Sequence, residues 1–437
     1  MWIAAFGSFL VFLLCLLLLL ATRTPVGVAL GTVAMVGTAL FVSPSAVSQL
    51  ASSAYSLSTN FILVVVPLFI LMGEVLSATG IGANLFRAAE VWFRRVPGAL
   101  AVGTVWACAL FGSVCGSSPV TATTIGSMAI PEMVRRGYDK SLALGATAAG
   151  GTLGILIPPS IAMIVYGVIT DTSIGHLFMA GIVPGLLLAF LLSLTIVLIA
   201  MRRPDWAPPV TDQPTAGEKW SALAAVLPVI VLAVLVIGSI YSGAATPTEA
   251  GAVGAAGALL IALAMRRLSF AVLTRSLQKT IRTTAMFLLL LTGGLFSSYL
   301  LARLGIPQAM SDLLTSLPLP PWAVMVLINV TLLILGMFMD PGSIVVIVIP
   351  IFIKTIIALG YDPVWFGVIV TIQSEIAAIT PPVGFNLFVL KSVAPGVQLH
   401  DVAKGSIIFV IPMLVAIVIL TAFPQIALFL PQFLLAK

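Results

Sequence analysis

Residues 112–124 read GSVCGSSPVTATT and interrupt an apolar run that extends from residue 97 to residue 134. Glycine, serine and proline would break a helix there, and broken backbone is tolerated in a membrane only where protein or a water-filled cavity covers it. Basic residues flank the run on both sides: Arg94, Arg95, Arg135, Arg136 and Lys140. Because basic residues concentrate in the cytoplasm, the run is predicted to enter the membrane and return as a hairpin.

The composition of the whole chain is that of a membrane protein. Of its 437 residues, 60% are apolar and 8% are charged, whereas a soluble domain is about 25% charged. The net charge of +6 comes from short clusters between apolar runs, which indicates loops facing anionic lipid and excludes a nucleic-acid surface. The three cysteines lie inside apolar segments without metal-ligand spacing, so neither a disulfide framework nor a zinc site is expected.

Two short motifs of the first half of the chain recur in the second half. Gly137-Tyr138-Asp139 recurs 223 residues later at positions 360–362, and Pro158-Pro159 recurs at the same offset at positions 381–382. Two multi-residue signals that share one offset indicate an internal duplication. The predicted halves are residues 1–215 and 216–437.

Each half is predicted to contain five spanning helices and one re-entrant hairpin, which gives an all-α polytopic fold with about ten spans. An odd number of spans inverts the second half relative to the first. The predicted hairpins cover residues 97–134 and 321–358, and the predicted broken helices cover residues 141–168 and 363–390. The other predicted spans are 3–21, 26–43, 60–78, 177–201, 221–241, 247–265, 284–301 and 406–423. An amphipathic helix at 268–282, with a loosely matching counterpart at 82–95, is expected in the cytoplasmic interface. It would serve either as an arm that joins a fixed scaffold to a moving domain or as an ordinary connector.

Each hairpin precedes a broken helix, and both contain groups that bind ions. The second hairpin contains GMFMDPGS at 336–343, and the breaks read GGTLGILIPPS at 150–160 and EIAAITPPVGFN at 375–386. Carbonyl and hydroxyl oxygens left free at such breaks suit a small hard cation such as sodium, and helix amino ends suit a carboxylate. The carboxylates Asp340 and Glu375 are candidates for cation binding, proton transfer or helix capping, whereas Glu249 is expected to cap a helix.

Four motifs together resemble the large membrane subunit of tripartite ATP-independent periplasmic (TRAP) transporters. They are TPTEAG at 246–251, GSSPVTATTIGSMAIPEM at 116–133, GILIPPS at 154–160 and ITPPVGFN at 379–386. The resemblance implies a sodium-driven importer of organic anions in the bacterial inner membrane, with a transport domain that moves as an elevator. It also implies a periplasmic substrate-binding protein and a small four-helix membrane subunit. No four-helix segment precedes Met1 or follows Lys437, so a separate small subunit is expected.

The resemblance also implies site residues. The implied sodium ligands are Ser113, Gly116, Ser117, Gly154 and Pro158 in the first half, and Gly336, Asp340, Gly342, Thr380 and Gly384 in the second. The implied substrate-binding residues are Ser118, Pro119, Pro382 and Asn386. Sodium is the implied coupling ion, with no other cofactor and no catalytic residue.

Three other functions stay open at this point. A stand-alone proton-coupled anion carrier would use Glu375 or Asp340. A channel would use the glycine-rich segments as a filter, although hairpins on both sides argue against an open pore. A membrane scaffold without transport would leave the repeated breaks unexplained. The sequence does not name the substrate, because TRAP transporters carry dicarboxylates, sialic acid, other sugar acids and keto acids.

Overall fold

Helices form all the regular secondary structure in residues 2–209, 213–393 and 396–435, which the computed structural model describes. The first-half helices are α1 (Trp2–Ala21), α2 (Val26–Phe41), α3 (Gln49–Thr59), α4 (Val65–Ala78), α5 (Ile81–Phe93), α6 (Ala99–Cys115), α7 (Ser118–Arg135), α8 (Lys140–Leu156), α9 (Ile161–Thr170) and α10 (Ile174–Arg202). The second-half helices are α11 (Ala216–Tyr241), α12 (Pro247–Ala264), α13 (Phe270–Arg303), α14 (Ile306–Ser316), α15 (Pro321–Gly336), α16 (Pro341–Ala358), α17 (Pro363–Ala378), α18 (Phe385–Val393), α19 (Leu399–Ala422) and α20 (Gln425–Leu435).

The order of helices recurs along the chain. Helices α11 and α12 follow the pattern of α1 and α2, and α14 to α19 follow α5 to α10, while α13 stands where α3 and α4 stand in the first half. An internal duplication would produce this order. The duplication, the boundary at residue 215 and the inverted orientation of the halves stay predictions.

Hairpin limbs and broken helices occupy the predicted segments. Helices α6 and α7 occupy the predicted segment 97–134, with α7 ending one residue later at Arg135, and α15 and α16 lie within 321–358. Helices α8 and α9 are separated by four residues and bent by 43°. A longer non-helical stretch separates α17 from α18. Glycine and proline therefore interrupt the helices where the sequence places them.

The number of membrane spans depends on how interrupted helices are counted. Seven helical stretches in the described residues are long and apolar enough to cross a membrane, and the bent pair α8 and α9 makes an eighth. The apolar stretch Gly7–Ala21 of α1 and the apolar helices α2 and α17 are shorter. Helix α16 is among the seven, although it was predicted to be the returning limb of a hairpin. Length and composition do not distinguish a crossing from a return, so re-entry of α16 stays a prediction.

The predicted amphipathic helix at 268–282 is the first part of a longer helix and is not separate from the predicted helix at 284–301. Its position in the membrane interface stays a prediction. Helix α13 runs unbroken through 34 residues, from Phe270 to Arg303, because no glycine or proline precedes Gly293 within it. The proposed counterpart at 82–95 is α5, but in helix order α5 corresponds to α14. Both α5 and α14 follow a glycine in the left-handed region, Gly80 with φ 71° and Gly305 with φ 70°.

The repeated Gly-Tyr-Asp motif ends one helix and starts the next. Gly137 and Gly360 have φ values of 80° and 81°, which glycine adopts without steric cost. The following tyrosine N–H groups donate to Met133 O (2.9 Å) and Ile356 O (3.1 Å), closing α7 and α16. Asp139 then accepts from Ser141 N (2.8 Å) and Asp362 accepts from Val364 N (2.6 Å), so each aspartate caps a broken helix.

The helices pack in two groups. The scaffold group consists of α1, α2, α4 and α11 to α13, in which α2 packs on α13 and α4 packs on α12. The hairpin group consists of α6 to α10 and α15 to α19. Within the hairpin group, α7 contacts α18 and α9 contacts α16, so each hairpin touches the broken helix of the other half.

Substitution of Gly145 by valine is expected to destabilise the hairpin group by about 1–3 kcal/mol. A Cβ on Gly145 would overlap the carbonyl group of Gly405, because α8 and α19 cross with their backbones in contact. Thermal unfolding of the purified protein in detergent measures the effect. Gly238→Val is the matched control, since nothing lies within 4 Å of a Cβ at Gly238. Equal unfolding temperatures for the two variants would contradict the close packing of α8 against α19.

Candidate functional site

The tip of the first hairpin packs against the break between α8 and α9. A Cβ on Gly112 would lie 2.7 Å from Gly154 Cα, so only glycine lets α6 approach α8 this closely. Gly116 ends α6 with φ 66°, and a Cβ there would lie 2.7 Å from Pro159 O. Ile161 N–H donates to Gly116 O at 3.5 Å. The hairpin tip and the helix break are therefore joined through backbone.

The predicted sodium ligands of the first half lie around this junction. The carbonyl oxygen of Ser117 lies 3.0 Å from where a Gly154 Cβ would be, and Pro158 is buried in the same break. Ser117 and Ser113 are half-buried. Ser113 Oγ donates its hydrogen to Leu110 O at 2.7 Å within α6. The lone pairs of this oxygen remain available to a cation.

The second tip has the same construction. Gly336 is so close to α17 that a Cβ there would lie 2.5 Å from Ala377 Cβ. Gly384, with φ 59°, donates its N–H to Met337 O at 3.3 Å. Thr380 is buried, and its hydroxyl donates to Ile376 O at 2.5 Å. Backbone thus links hairpin tip to helix break in both halves.

Asp340 lies at this second tip as the cap of α16. Its carboxylate accepts from Ser343 N at 3.2 Å and also from the Ser343 hydroxyl. A Cβ on Gly342 would lie 3.1 Å from Asp340 Oδ2, which places Gly342 against the carboxylate. Asp340 is half-buried and forms no ion pair within the described residues. Carboxylate, hydroxyl and carbonyl oxygens suit a hard cation. Cation binding at either tip stays a prediction.

A buried hydrogen-bonded cluster joins the two halves between the tips. Ser118 Oγ donates to Glu375 Oε2 at 2.9 Å, and Asn386 Nδ2 donates to the same oxygen at 3.2 Å and to Ser118 Oγ at 2.6 Å. Glu375 is 1% exposed, and its Oε1 has no hydrogen-bond partner in the described part of the chain. No basic side chain described here pairs with it. An unpaired buried carboxylate is costly and typically functional in a membrane protein.

The cluster brings two of the four predicted substrate-binding residues together. Ser118 is the first residue of α7, and Asn386 is the second residue of α18. Their contact makes the amino ends of the two helices meet. Pro119 is half-buried beside Ser118, whereas Pro382 is exposed. Binding of substrate by these four residues stays a prediction.

Two features of the site were not predicted. The sequence marked Glu375 as a membrane carboxylate but not its contacts with Ser118, 257 residues away, and Asn386. It also did not single out Ser343 as the partner of Asp340. For Ser343 a signal exists, because an aspartate three residues before a serine at a helix start fits a capping pattern. No pattern in the sequence around Glu375 indicates its contacts with Ser118 and Asn386.

Paired helical hairpins and paired broken helices, with backbone junctions at both tips, define a multi-pass membrane protein of the carrier type. A model of the family described as tripartite ATP-independent periplasmic transporter, DctM component, matches residues 13–426. The chain therefore belongs to this family. The resemblance found in the sequence is confirmed, and the protein is a multi-pass protein of the bacterial inner membrane and not an enzyme.

Two relatives and one solved structure illustrate the similarity. The chain is 37% identical to the C4-dicarboxylate TRAP transporter large permease protein DctM of Pseudomonas aeruginosa, over 91% of this chain and 92% of that one. It is 32% identical to the sialic acid TRAP transporter large permease protein SiaM of Vibrio cholerae, over 86% and 87% of the two chains. The YdaH transporter of Alcanivorax borkumensis has the same fold, with a TM-score of 0.65 and 16% identity over 96% of this chain and 98% of that one.

Proposed function

We propose that this chain is the translocating subunit of a sodium-coupled importer of organic anions. The substrates are carboxylates such as C4-dicarboxylates, sugar acids or keto acids. A periplasmic binding protein delivers the substrate, and a small four-helix membrane subunit completes the complex. Family membership and relatives named for a dicarboxylate and for sialic acid support this assignment.

The observation that carries the proposal is the meeting of two helix amino ends at Ser118 and Asn386. Each amino end concentrates partial positive charge and free N–H groups, which favour a bound carboxylate. Ser118 directly follows the first hairpin tip, and Asn386 lies two residues after Gly384, which donates to Met337 O at the second tip. The resemblance implies a substrate between these tips. One organic anion bound here would contact both halves of the protein.

The position of Glu375 gives a reason for coupling to a cation. Its side chain contacts both Ser118 and Asn386, so an anionic substrate at this junction lies close to a second acidic group. Binding of the anion is then favoured when positive charge enters with it. Sodium ions at the two tips supply that charge, since Ser117 precedes Ser118 and Gly384 lies two residues before Asn386.

The division into two helix groups supports an elevator movement. Both hairpins and both broken helices belong to the hairpin group and are held together by α7 against α18 and α9 against α16. This group would move as one unit against the scaffold group and carry substrate and cations across the membrane.

A stand-alone proton-coupled carrier is the second candidate. Glu375 favours it, because this carboxylate is fully buried and has no basic partner among the described residues. Protonation of Glu375 would supply the positive charge that sodium supplies in the first proposal.

Uptake into proteoliposomes tests the two candidates. The expected result is that some radiolabelled acid from a panel of dicarboxylates, sugar acids and keto acids accumulates only with an inward sodium gradient, the binding protein and the small subunit. Liposomes with a pH gradient and no sodium gradient are the control. Uptake that follows the pH gradient and ignores the binding protein would overturn the sodium-coupled proposal and select the proton-coupled carrier.

A further inference from the structure

Helices α10 and α19 leave an open groove between them on the outside of the hairpin group. The groove has a volume of about 580 Å³ and ends at the last turn of α10. Leu194 and Leu198 of α10 form one wall, and Ile411 and Val415 of α19 form the other. All four side chains are exposed, Ile411 to 67%. In a membrane, such a surface faces hydrocarbon.

The end of the groove is basic. Arg202 and Arg203 line it and are exposed. The guanidinium of Arg203 lies 4.8 Å from the ring centre of Trp206, which also lines the groove. Neither arginine pairs with a carboxylate within the described residues. Tryptophan and arginine at a helix end mark the level of the lipid head groups, and the positive-inside tendency places this end in the cytoplasm.

More positive charge lies beside this end. Arg94 and Arg95 border a neighbouring cavity that shares the end of α10 through Ala200 and Pro204. Arg95 donates to Gln213 at 3.1 Å and Arg94 pairs with Glu90 at 3.4 Å. Asp205 is the acidic residue closest in sequence to the groove arginines. Arg202 and Arg203 are thus the groove residues whose charge is available to an anion.

The length of the groove matches one leaflet. From Leu191 to Arg203 the helix rises roughly 18 Å at about 1.5 Å per residue, and half of the hydrocarbon core is about 15 Å thick. A lipid whose phosphate lies at the arginines would therefore extend its acyl chain along the full apolar wall. A free phosphate ion would leave that wall uncovered.

We propose that this groove binds one anionic phospholipid of the cytoplasmic leaflet. The phosphate lies at Arg202 and Arg203, and an acyl chain lies against Leu194, Leu198 and Ile411. Basic pockets between spanning helices on the cytoplasmic side bind anionic head groups in this way. The proposal does not depend on the transported substrate or on the coupling ion.

Native mass spectrometry of the purified full chain with added lipid tests the proposal. Phosphatidylglycerol and phosphatidylcholine with the same acyl chains are the two probes. The double variant R202A/R203A is expected to bind phosphatidylglycerol about tenfold more weakly and phosphatidylcholine with unchanged affinity. The double variant R275A/R282A, which removes the same charge from exposed positions on α13, is the control and is expected to behave as wild type.

A second variant tests the apolar wall. Leu198→Trp fills the groove and is expected to weaken binding of both lipids while the protein keeps its unfolding temperature. Equal affinity of the wild type for both lipids, an unchanged R202A/R203A variant, or the same loss in R275A/R282A would each overturn the proposal. Undiminished lipid binding by Leu198→Trp would overturn it as well, because the lipid would then lie elsewhere.

Discussion

Uptake is expected to be lost in Glu375→Ala and largely retained in Glu375→Gln. Alanine leaves the Ser118 hydroxyl without its buried acceptor, which costs about 1–3 kcal/mol for an unpaired group. It also removes one of the two acceptors of the Asn386 amide, which keeps Ser118 Oγ. Both groups position the amino ends of α7 and α18, and misplacement of binding groups by about 1 Å lowers activity roughly hundredfold. Glutamine keeps an acceptor oxygen toward both donors. Initial uptake rates in proteoliposomes, together with thermal unfolding in detergent, measure the two effects.

Glu249→Gln provides the control for loss of a carboxylate. Glu249 forms a capping box with Thr246 at the start of α12, as its sequence position predicted, and glutamine fits that motif. This variant is expected to transport and unfold as wild type does. A stable Glu375→Gln protein without uptake would contradict the role of Glu375 as a hydrogen-bond acceptor. It would show that the carboxyl group itself is required, either to carry a proton or to balance the charge of bound sodium.

The second large effect is expected for Asp340→Asn. Asparagine also caps helices, so α16 should begin normally, but the formal charge is lost from the predicted sodium site at the second tip. Loss of a charged ligand is expected to raise the sodium concentration for half-maximal uptake by about tenfold or more, since charge-assisted contacts are worth about 1.5–3 kcal/mol. Uptake measured at varied external sodium and constant ionic strength gives this value.

Asp362→Asn is the matched control for Asp340→Asn. Asp362 caps α17 in the same manner, with Val364 N at 2.6 Å, but it is exposed and outside both predicted sodium sites. It is expected to leave the sodium dependence unchanged. Identical sodium dependence in Asp340→Asn and in wild type would remove Asp340 from the sodium site. Equal shifts in both variants would assign the effect to helix capping.

The substitutions of Glu375 and Asp340 each remove one of the negative charges that bound cations would offset. Glu375 and an incoming carboxylate are both acidic groups at the junction of α7 and α18, and Asp340 adds negative charge at one tip. Helix amino ends offset part of this charge, and cations must offset the rest when an ionised substrate binds. The binding of sodium and the binding of substrate are therefore expected to be cooperative, with each ligand raising the affinity for the other.

Local properties of the sequence determined much of the fold. Glycines in the left-handed region lie at helix ends, and prolines often lie at helix starts, because these backbone preferences do not depend on distant residues. The two Gly-Tyr-Asp motifs therefore mark the ends of α7 and α16 and the starts of α8 and α17. Other glycines and prolines, such as Gly145 and Pro131, lie inside helices. No glycine or proline lies near residue 282. The same rule therefore predicts that α13 continues through this position, as the structure shows.

Only the tertiary structure decided which segments meet. Ser118 and Asn386 are 268 residues apart and come into contact because α7 packs on α18 across the two halves. Composition and spacing determined that the chain lies in a membrane, repeats its pattern and breaks its helices in four places, because backbone geometry and hydropathy act over a few residues. The cluster around Glu375, the Gly145–Gly405 contact and the groove beside Arg202 depend on packing between distant helices. Close packing is a property of surfaces brought together by the whole fold, and no short stretch of sequence encodes it.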